Sequence, residues 1–325
     1  STNNYQLTTI NYQLTTNNQH TFPMKIRKIL LITFSAILLA IASLRIGQLS
    51  YSWLPPQATA ESLLIDDLFS FLVTLGAFIF LGVCGALIYS IIFNRAGKYD
   101  FSDGPHIEGN LTVEVVWTAI PFVLVIWIAA YSYQIYDQMS ILGPMQHHKS
   151  MSMGIKSALA EPLSESSQTA KSSEKIQVIS KQWAWIFNYP EQNISSTELH
   201  LPVNQRAYLT LESEDVIHGF YIPAFRVKQD VIPSETINFE FTPILEGKYR
   251  LRDSQYSGTY FAAMQTDVVV ESPEKYNQWL KEAQKRKPSP AYNQAMSEYT
   301  RKSDHAIGTN WATVKPAEPP VVNYQ

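Results

Sequence analysis

The chain has 325 residues, 46% of them hydrophobic and only 16% charged, with a formal net charge of −3. A balance so near neutral argues against a nucleic-acid partner, and none is expected. Cys84 is the single cysteine, which excludes a disulfide framework and any inference about an oxidising compartment from cysteine pairing.

Residues 1–23 contain Asn4-Tyr5-Gln6-Leu7-Thr8-Thr9 and again Asn11-Tyr12-Gln13-Leu14-Thr15-Thr16. This polar repeat has no apolar face to bury and is expected to be disordered or an upstream extension. In residues 24–48, Met24 is followed by Lys25, Arg27 and Lys28 and then by the apolar run Ile29 to Leu44. The run is short for a membrane span of ~20 residues and long for the core of a signal peptide, so a cleaved signal and a retained anchor both stay open. Ala58-Thr59-Ala60 has the small-x-small form of a cleavage site, although it lies far downstream.

Residues 66–137 are expected to form a transmembrane helical hairpin. Leu68 to Asn94 has no charged residue, and at about 1.5 Å per residue it exceeds the ~30 Å hydrocarbon core. A second uncharged run, Val115 to Ile135, lies between Glu114 and Asp137 and carries Trp117, Trp127, Tyr131 and Tyr133 near the levels of aromatic belts. Pro121 sits one turn into this run and is expected to kink it. Lys25, Arg27 and Lys28 precede the run Ile29 to Leu44, and Arg95 and Lys98 follow Leu68 to Asn94, whereas Ile46 to Asp67 has no basic residue and only Arg45 borders it. The loop Arg95 to Thr112 is therefore expected to be cytoplasmic, with everything after Asp137 periplasmic or lumenal.

Residues 138–174 read as a linker. Its Met139, Met145, Met151, Met153, His147 and His148 carry groups able to hold Cu(I), while the Ser-, Gln- and Lys-rich stretch Ser164 to Ser173 reads as a plain spacer. Residues 175–280 change to short β-branched and aromatic runs: Ile176 to Ile179, Ala207 to Leu211, Thr236 to Phe241, Tyr249 to Leu251 and Val268 to Val270. Such spacing predicts an all-β sandwich or barrel. The tail, residues 281–325, is basic and then Pro-rich, with too little apolar content to fold alone.

Three motifs carry the chemistry. Asp215-Val216-Ile217-His218-Gly219-Phe220 is followed some thirty residues on by Gly247-Lys248-Tyr249-Arg250-Leu251-Arg252-Asp253-Ser254-Gln255-Tyr256-Ser257-Gly258-Thr259-Tyr260-Phe261-Ala262-Ala263-Met264. Gln182-Trp183-Ala184-Trp185 has the form Q-W-x-W, and Glu114-Val115-Val116-Trp117-Thr118-Ala119-Ile120-Pro121 the form E-x-x-W-T-x-x-P. Over roughly Asp66 to Leu280 the chain closely resembles subunit II of the haem-copper terminal oxidases, the cytochrome c oxidase subunit 2 family. In that family the longer motif reads G-x-Y-x-G-x-C-S-E-x-C-G-x-x-H-x-x-M, and its two thiolates bridge a dinuclear copper centre, CuA. The resemblance implies a cupredoxin-like Greek-key domain after the membrane hairpin.

Here the two cysteine slots hold Asp253 and Ser257, the histidine slot holds Phe261, and only His218 and Met264 remain of the ligands. Gln255 stands where the family's glutamate supplies a magnesium ligand. Oxygen donors cannot give a mixed-valence copper pair the covalency of thiolates. The resemblance thus implies a domain without metal, as in the family's quinol-oxidising branch, and wording around the spans is similar to the cyanobacterial alternative respiratory terminal oxidase. No cofactor and no catalytic residue is expected in this chain. Haems and a copper are expected in subunit I, with subunit I, other oxidase subunits and membrane lipid as partners and quinol bound at the subunit I interface. The resemblance makes Glu114 a residue at the mouth of the proton path to the oxygen site; the plainer reading is an interfacial carboxylate at a helix start. Trp183 occupies the family's electron-receiving position and, without a metal behind it, is expected to pack. His218 reads either as a ligand of one copper with Met264 and Asp253, or as a hydrogen-bonded structural histidine at a strand end. Two other readings stay open: a cytochrome c oxidase subunit with an atypical copper site, and a membrane-tethered copper carrier using the Met/His linker.

Overall fold

The structure, a computed structural model, describes residues 26–95, 109–139, 175–304 and 314–325. The polar repeat, most of the loop Arg95 to Thr112, and the linker residues Met145, His147, His148, Met151 and Met153 lie outside the described residues. Two compact units make up the chain: the described residues of Ser1–Tyr51 and Phe69–Pro105, and those of Ser52–Leu68 and His106–Gln325.

The first unit contains α1 (Ile26–Ser50) and most of α2 (Ala60–Phe93). α1 is 25 residues long, beyond the apolar run Ile29 to Leu44 and long enough to cross a bilayer. It continues past Leu44 because Ser43, Gly47 and Ser50 let it approach α2: Ser70 Oγ donates to Gly47 O at 2.8 Å, and a Cβ at position 47 would collide with Thr74. α2 has 34 residues and starts at Ala60, ahead of the expected boundary at 66, so at about 1.5 Å per residue it outreaches the ~30 Å hydrocarbon core. Its charged residues Glu61, Asp66 and Asp67 all sit in the surplus first turns, which belong to the second unit.

In the second unit α3 (Leu111–Met139) begins where Asn110 Oδ1 accepts from Thr112 N at 3.0 Å and Val113 N at 3.2 Å. Because α3 starts before Val115, Pro121 lies about three turns inside the helix and not one, and the helix is continuous through it. Ten strands build the sandwich: β1 (Lys175–Lys181), β2 (Ala184–Tyr189), β3 (Ile194–Ser196), β4 (Leu199–Pro202), β5 (Ala207–Ser213), β6 (His218–Ile222), β7 (Val227–Val231), β8 (Ile237–Phe241), β9 (Gly247–Asp253) and β10 (Gln265–Glu271). One sheet has the order β3-β2-β1-β5-β8 and the other β4-β10-β9-β6-β7, with β1/β5 and β4/β10 parallel. The chain crosses repeatedly between the sheets, the cupredoxin-like Greek-key arrangement. Alternation along each strand sends Ile176, Val178, Leu209, Leu211, Phe220 and Phe239 into the shared core.

The tail, too poor in apolar residues to fold alone, takes up structure against the sandwich. α4 (Pro273–Lys285), capped by Ser272, runs past residue 280, and α5 (Gln294–Asp304) and the pair β11 (Ser289–Pro290)/β12 (Val321–Val322) follow. Several apolar residues of this region are placed against the sandwich: Trp279, Ala283, Ala295 and Val322 are buried, and Tyr324 O accepts from Thr197 N at 3.1 Å. A segment that cannot bury a core of its own is ordered by the core next to it.

Candidate functional site

His218 opens β6 and Asp253 closes β9; the two strands are antiparallel neighbours with Phe220 opposite Asp253. This register brings His218 Nδ1 to 2.8 Å from Asp253 Oδ2, with both side chains fully buried. On the other edge of the ring, Nε2 lies 2.9 Å from Asp215 Oδ1. Asp253 Oδ2 also accepts from Ser257 Oγ at 2.7 Å, while Oδ1 accepts from Gly219 N at 2.7 Å and Gln255 N at 3.0 Å. Every acceptor site of this carboxylate is thereby filled. Position 219 requires glycine because a Cβ there would press on Ser254 and the backbone N of Gln255.

Trp183 extends the network, its Nε1 donating to Ser257 Oγ at 3.1 Å. Gln182 Nε2 donates to Ser257 O and its backbone N to Asp215 Oδ2, both at 2.6 Å. Met264 is buried, and its carbonyl accepts from Asp253 N at 2.9 Å and from Trp185 Nε1 at 3.4 Å. Phe261 instead pairs with the exposed Tyr256 at a ring separation of 5.3 Å. Gln255 Nε2 reaches Asp230 at 3.3 Å, and Asp230 in turn bonds Lys228 at 2.7 Å. Glu114 is elsewhere, exposed in the first turn of α3. Asp215 as a second carboxylate on His218 was not singled out from the sequence; its spacing of three residues from the histidine was the available signal.

Burial alone would lower the proton affinity of His218, but the hydrogen bonds and charges of Asp215 and Asp253 outweigh it and raise its pKa above the ordinary value. Burial would likewise raise Asp253, but bonds from His218, Gly219 N and Ser257 hold it below the usual carboxylate range. Asp215 is lowered in the same way, against burial, by His218 and by the backbone N–H groups of Gln182 and Val216. The site is a buried imidazole held between two carboxylates that favour its protonated form. Asp215 and Asp253 contribute stability above their ordinary value of 3.8 and lose it as pH falls through their depressed folded values. His218 contributes fully below its ordinary 6.5 and loses that contribution as pH rises through its raised folded value. Thermal melting of the full chain in detergent is expected to plateau between those limits and to decline on the alkaline side. A Tm that rises steadily from pH 6 to 9 would contradict the charged state of the ring.

As a metal site the donors do not fit a dinuclear copper pair. Both imidazole nitrogens and both Asp253 oxygens are committed to protein hydrogen bonds, oxygen stands where bridging thiolates are required, and Cys84 lies in α2. Among the described residues no group of three or more His, Cys, Asp or Glu is arranged to hold an ion. The face beyond Trp183 is covered by the tail: Asn293 Nδ2 donates to Trp183 O at 3.2 Å and Ala317 N to Gln182 O at 2.6 Å. Trp183 is left 2% exposed. A cavity of about 150 Å³ remains between the tail and the sandwich, lined by Trp183, Trp185, Met264, Tyr292, Asn293 and Pro320.

Two family models match in succession: cytochrome c oxidase subunit II, transmembrane domain, over residues 47–135, and cytochrome c oxidase subunit II, periplasmic domain, over residues 195–272. The chain is 33% identical over 295 residues to cytochrome c oxidase subunit 2 of Synechocystis, covering 84% of this chain and 87% of that protein. It is also 26% identical over 225 residues to quinol oxidase subunit 2 of Bacillus subtilis, covering 67% and 62%. The solved periplasmic domain of subunit II of cytochrome oxidase from Bradyrhizobium japonicum shares 26% identity over 35% of this chain and 96% of that one, with a TM-score of 0.34. With apolar helices followed by a cupredoxin-like sandwich, and both halves matched in that order, the chain belongs to the cytochrome c oxidase subunit II family.

Proposed function

We propose that this chain is the redox-inert subunit II of a haem-copper terminal oxidase that takes its electrons from quinol, reduces oxygen to water and translocates protons. The reading is carried by one observation: the positions at which the family binds CuA are closed by the Asp215–His218–Asp253–Ser257 network. His218, whose proton is favoured by the two flanking carboxylates, bridges Asp215 and Asp253 there in place of a metal. It holds the loop between β9 and β10 on the end of β6, and it cannot carry an electron. The burial of Trp183, 2% exposed with its indole against Ser257 and Tyr260, supports the same reading, since a soluble electron donor has little access to that indole.

In this reading the haems and the single copper reside in subunit I, which reduces the oxygen. This chain clamps subunit I through its lipid-level helices, and its sandwich lies on the periplasmic or lumenal side of the bacterial cytoplasmic or thylakoid membrane. Quinol binds at the subunit I interface, and Glu114, exposed at the first turn of α3, borders the cytoplasmic mouth of a proton path. The decisive experiment measures copper per haem in the purified complex together with oxygen uptake on quinol and on reduced cytochrome c. One copper per oxygen-reducing site and quinol-dependent uptake are expected. Three coppers per site, or rapid uptake with cytochrome c alone, would overturn the proposal.

A further inference from the structure

The segment joining α1 to α2 is built into the sandwich. Ala58 N donates to Ala224 O at 3.2 Å, Ile244 N donates to Ala58 O at 2.9 Å, and Ala60 N donates to Thr242 O at 3.0 Å, so the segment bonds to the chain on both of its edges. Thr59 pairs with Pro243 as an isolated bridge, and its Oγ1 donates to Phe225 O at 3.0 Å. Ala58 and Thr59 are completely buried, Ala58 within the hydrophobic core itself. Thr59 also starts α2: its Oγ1 accepts from Ser62 N at 3.1 Å while Ser62 Oγ returns to Thr59 N at 3.3 Å.

Charged groups close the same junction. Arg226 holds Asp66 bidentately, both contacts at 2.9 Å, and donates to Pro55 O at 2.5 Å, while Gln57 Nε2 donates to Asp66 Oδ2 at 2.9 Å. Glu61 accepts from Thr242 N at 3.1 Å and pairs with Arg206, which also holds Glu240 at 2.8 Å. Cutting the chain after Ala60 would strip partners from Ala224 O, Phe225 O and Ile244 N, expose core, and leave Arg226 without the Pro55 and Gln57 side of its cage. Each buried backbone group so orphaned loses its hydrogen bond with no water to replace it.

An independent observation concerns α1. Ser43 and Ser50 are buried although they lie on a helix whose other faces are open, and Ser70 of α2 hydrogen-bonds the carbonyl of Gly47. A leader destined for removal has no use for a hydrogen-bonded seat on the next helix. The charge pattern agrees. Lys25, Arg27 and Lys28 precede the apolar run Ile29 to Leu44 and Ile46 to Asp67 has no basic residue, the bias that the positive-inside rule expects of a span leaving the cytoplasmic side.

From this geometry we propose that Ala58-Thr59-Ala60 is not a processing site and that α1 remains in the mature subunit as a third membrane span, seated on α2 through Ser43, Gly47 and Ser50. The inference is independent of the identity of the electron donor. Intact-mass and peptide mass spectrometry of the chain from purified oxidase tests it. Peptides covering residues 29–53 should be present in equal amount with those of the sandwich, on one continuous polypeptide. A mature N-terminus anywhere between Ile46 and Glu61 overturns it. Gly47→Leu provides the second measurement. If α1 is seated on α2, the bulky side chain should reduce haem-loaded complex in the membrane several-fold. Unchanged yield and unchanged Tm would show that α1 has no such seat.

Discussion

Asp253→Ala is expected to destabilise the sandwich by about 3–5 kcal/mol, the range for removing one partner of a buried ion pair. For a domain of this size that corresponds to a fall in Tm of roughly 6–20 °C. The size of the effect comes from what is left behind. Asp253 receives His218, Ser257 and two backbone N–H groups, all in a site with no water access at the imidazole, so its loss orphans four donors at once. His218 would retain only Asp215, and its pKa should fall with the loss of one of the two carboxylates that raise it. The double variant His218→Phe with Asp253→Leu provides the control, because replacing a buried ion pair by packed apolar groups is often neutral or stabilising. Recovery of most of the lost Tm in the double variant is expected. A single variant that melts within about 1 kcal/mol of the natural chain would mean that the network does not hold the β9–β10 loop.

Restoring the family's ligands, with Asp253→Cys, Ser257→Cys, Phe261→His and Gln255→Glu together, is expected to give a sandwich that binds two copper ions per chain. The bound pair should give the intense thiolate-to-copper absorption and the valence-delocalised paramagnetic signal of a bridged centre. The structure supplies the reason. His218 Nδ1 is the nitrogen that faces position 253, so replacing the carboxylate by a thiolate frees that nitrogen for a metal. Asp215 stays on Nε2, where a carboxylate fixes the tautomer of a ligating histidine. Met264 is already buried at the end of the loop with its backbone bonded to Asp253 N, so the loop should need little rearrangement. Asp253→Cys alone should bind no copper pair, since bridging needs both sulfurs. Failure of the fourfold variant to bind more than one copper while remaining folded would show that the frame has drifted too far to receive the centre.

Several features were legible in the residues before any fold was known. The spans follow from length and absence of charge, because lipid accepts long uncharged helices and little else. The sandwich follows from alternation, which is a local property of strands. The absence of thiolates at the copper positions is a matter of residue identity, visible once the frame from Asp215 to Met264 is recognised. Other features depend on distant segments. The tail is too poor in apolar residues to fold alone, and Ala283, Ala295 and Val322 are buried where it meets a core built from other segments. The small-x-small form of Ala58-Thr59-Ala60 is a matter of residue size, and size carries no information about the two backbone edges to which the segment bonds.

Residue identity and order alone are thus enough for the membrane helices, the β-class of the second half and the absence of thiolates and imidazole at positions 253, 257 and 261. Tertiary structure alone decided that Asp253 faces His218 across 35 residues of chain, that Asp215 closes the other side of the ring, and that Arg226 reaches back 160 residues to Asp66. Periodicity and composition are short-range quantities, fixed by neighbours along the chain. Which charges meet inside the protein depends on strand register and sheet order, and those are set by packing among segments distant in sequence.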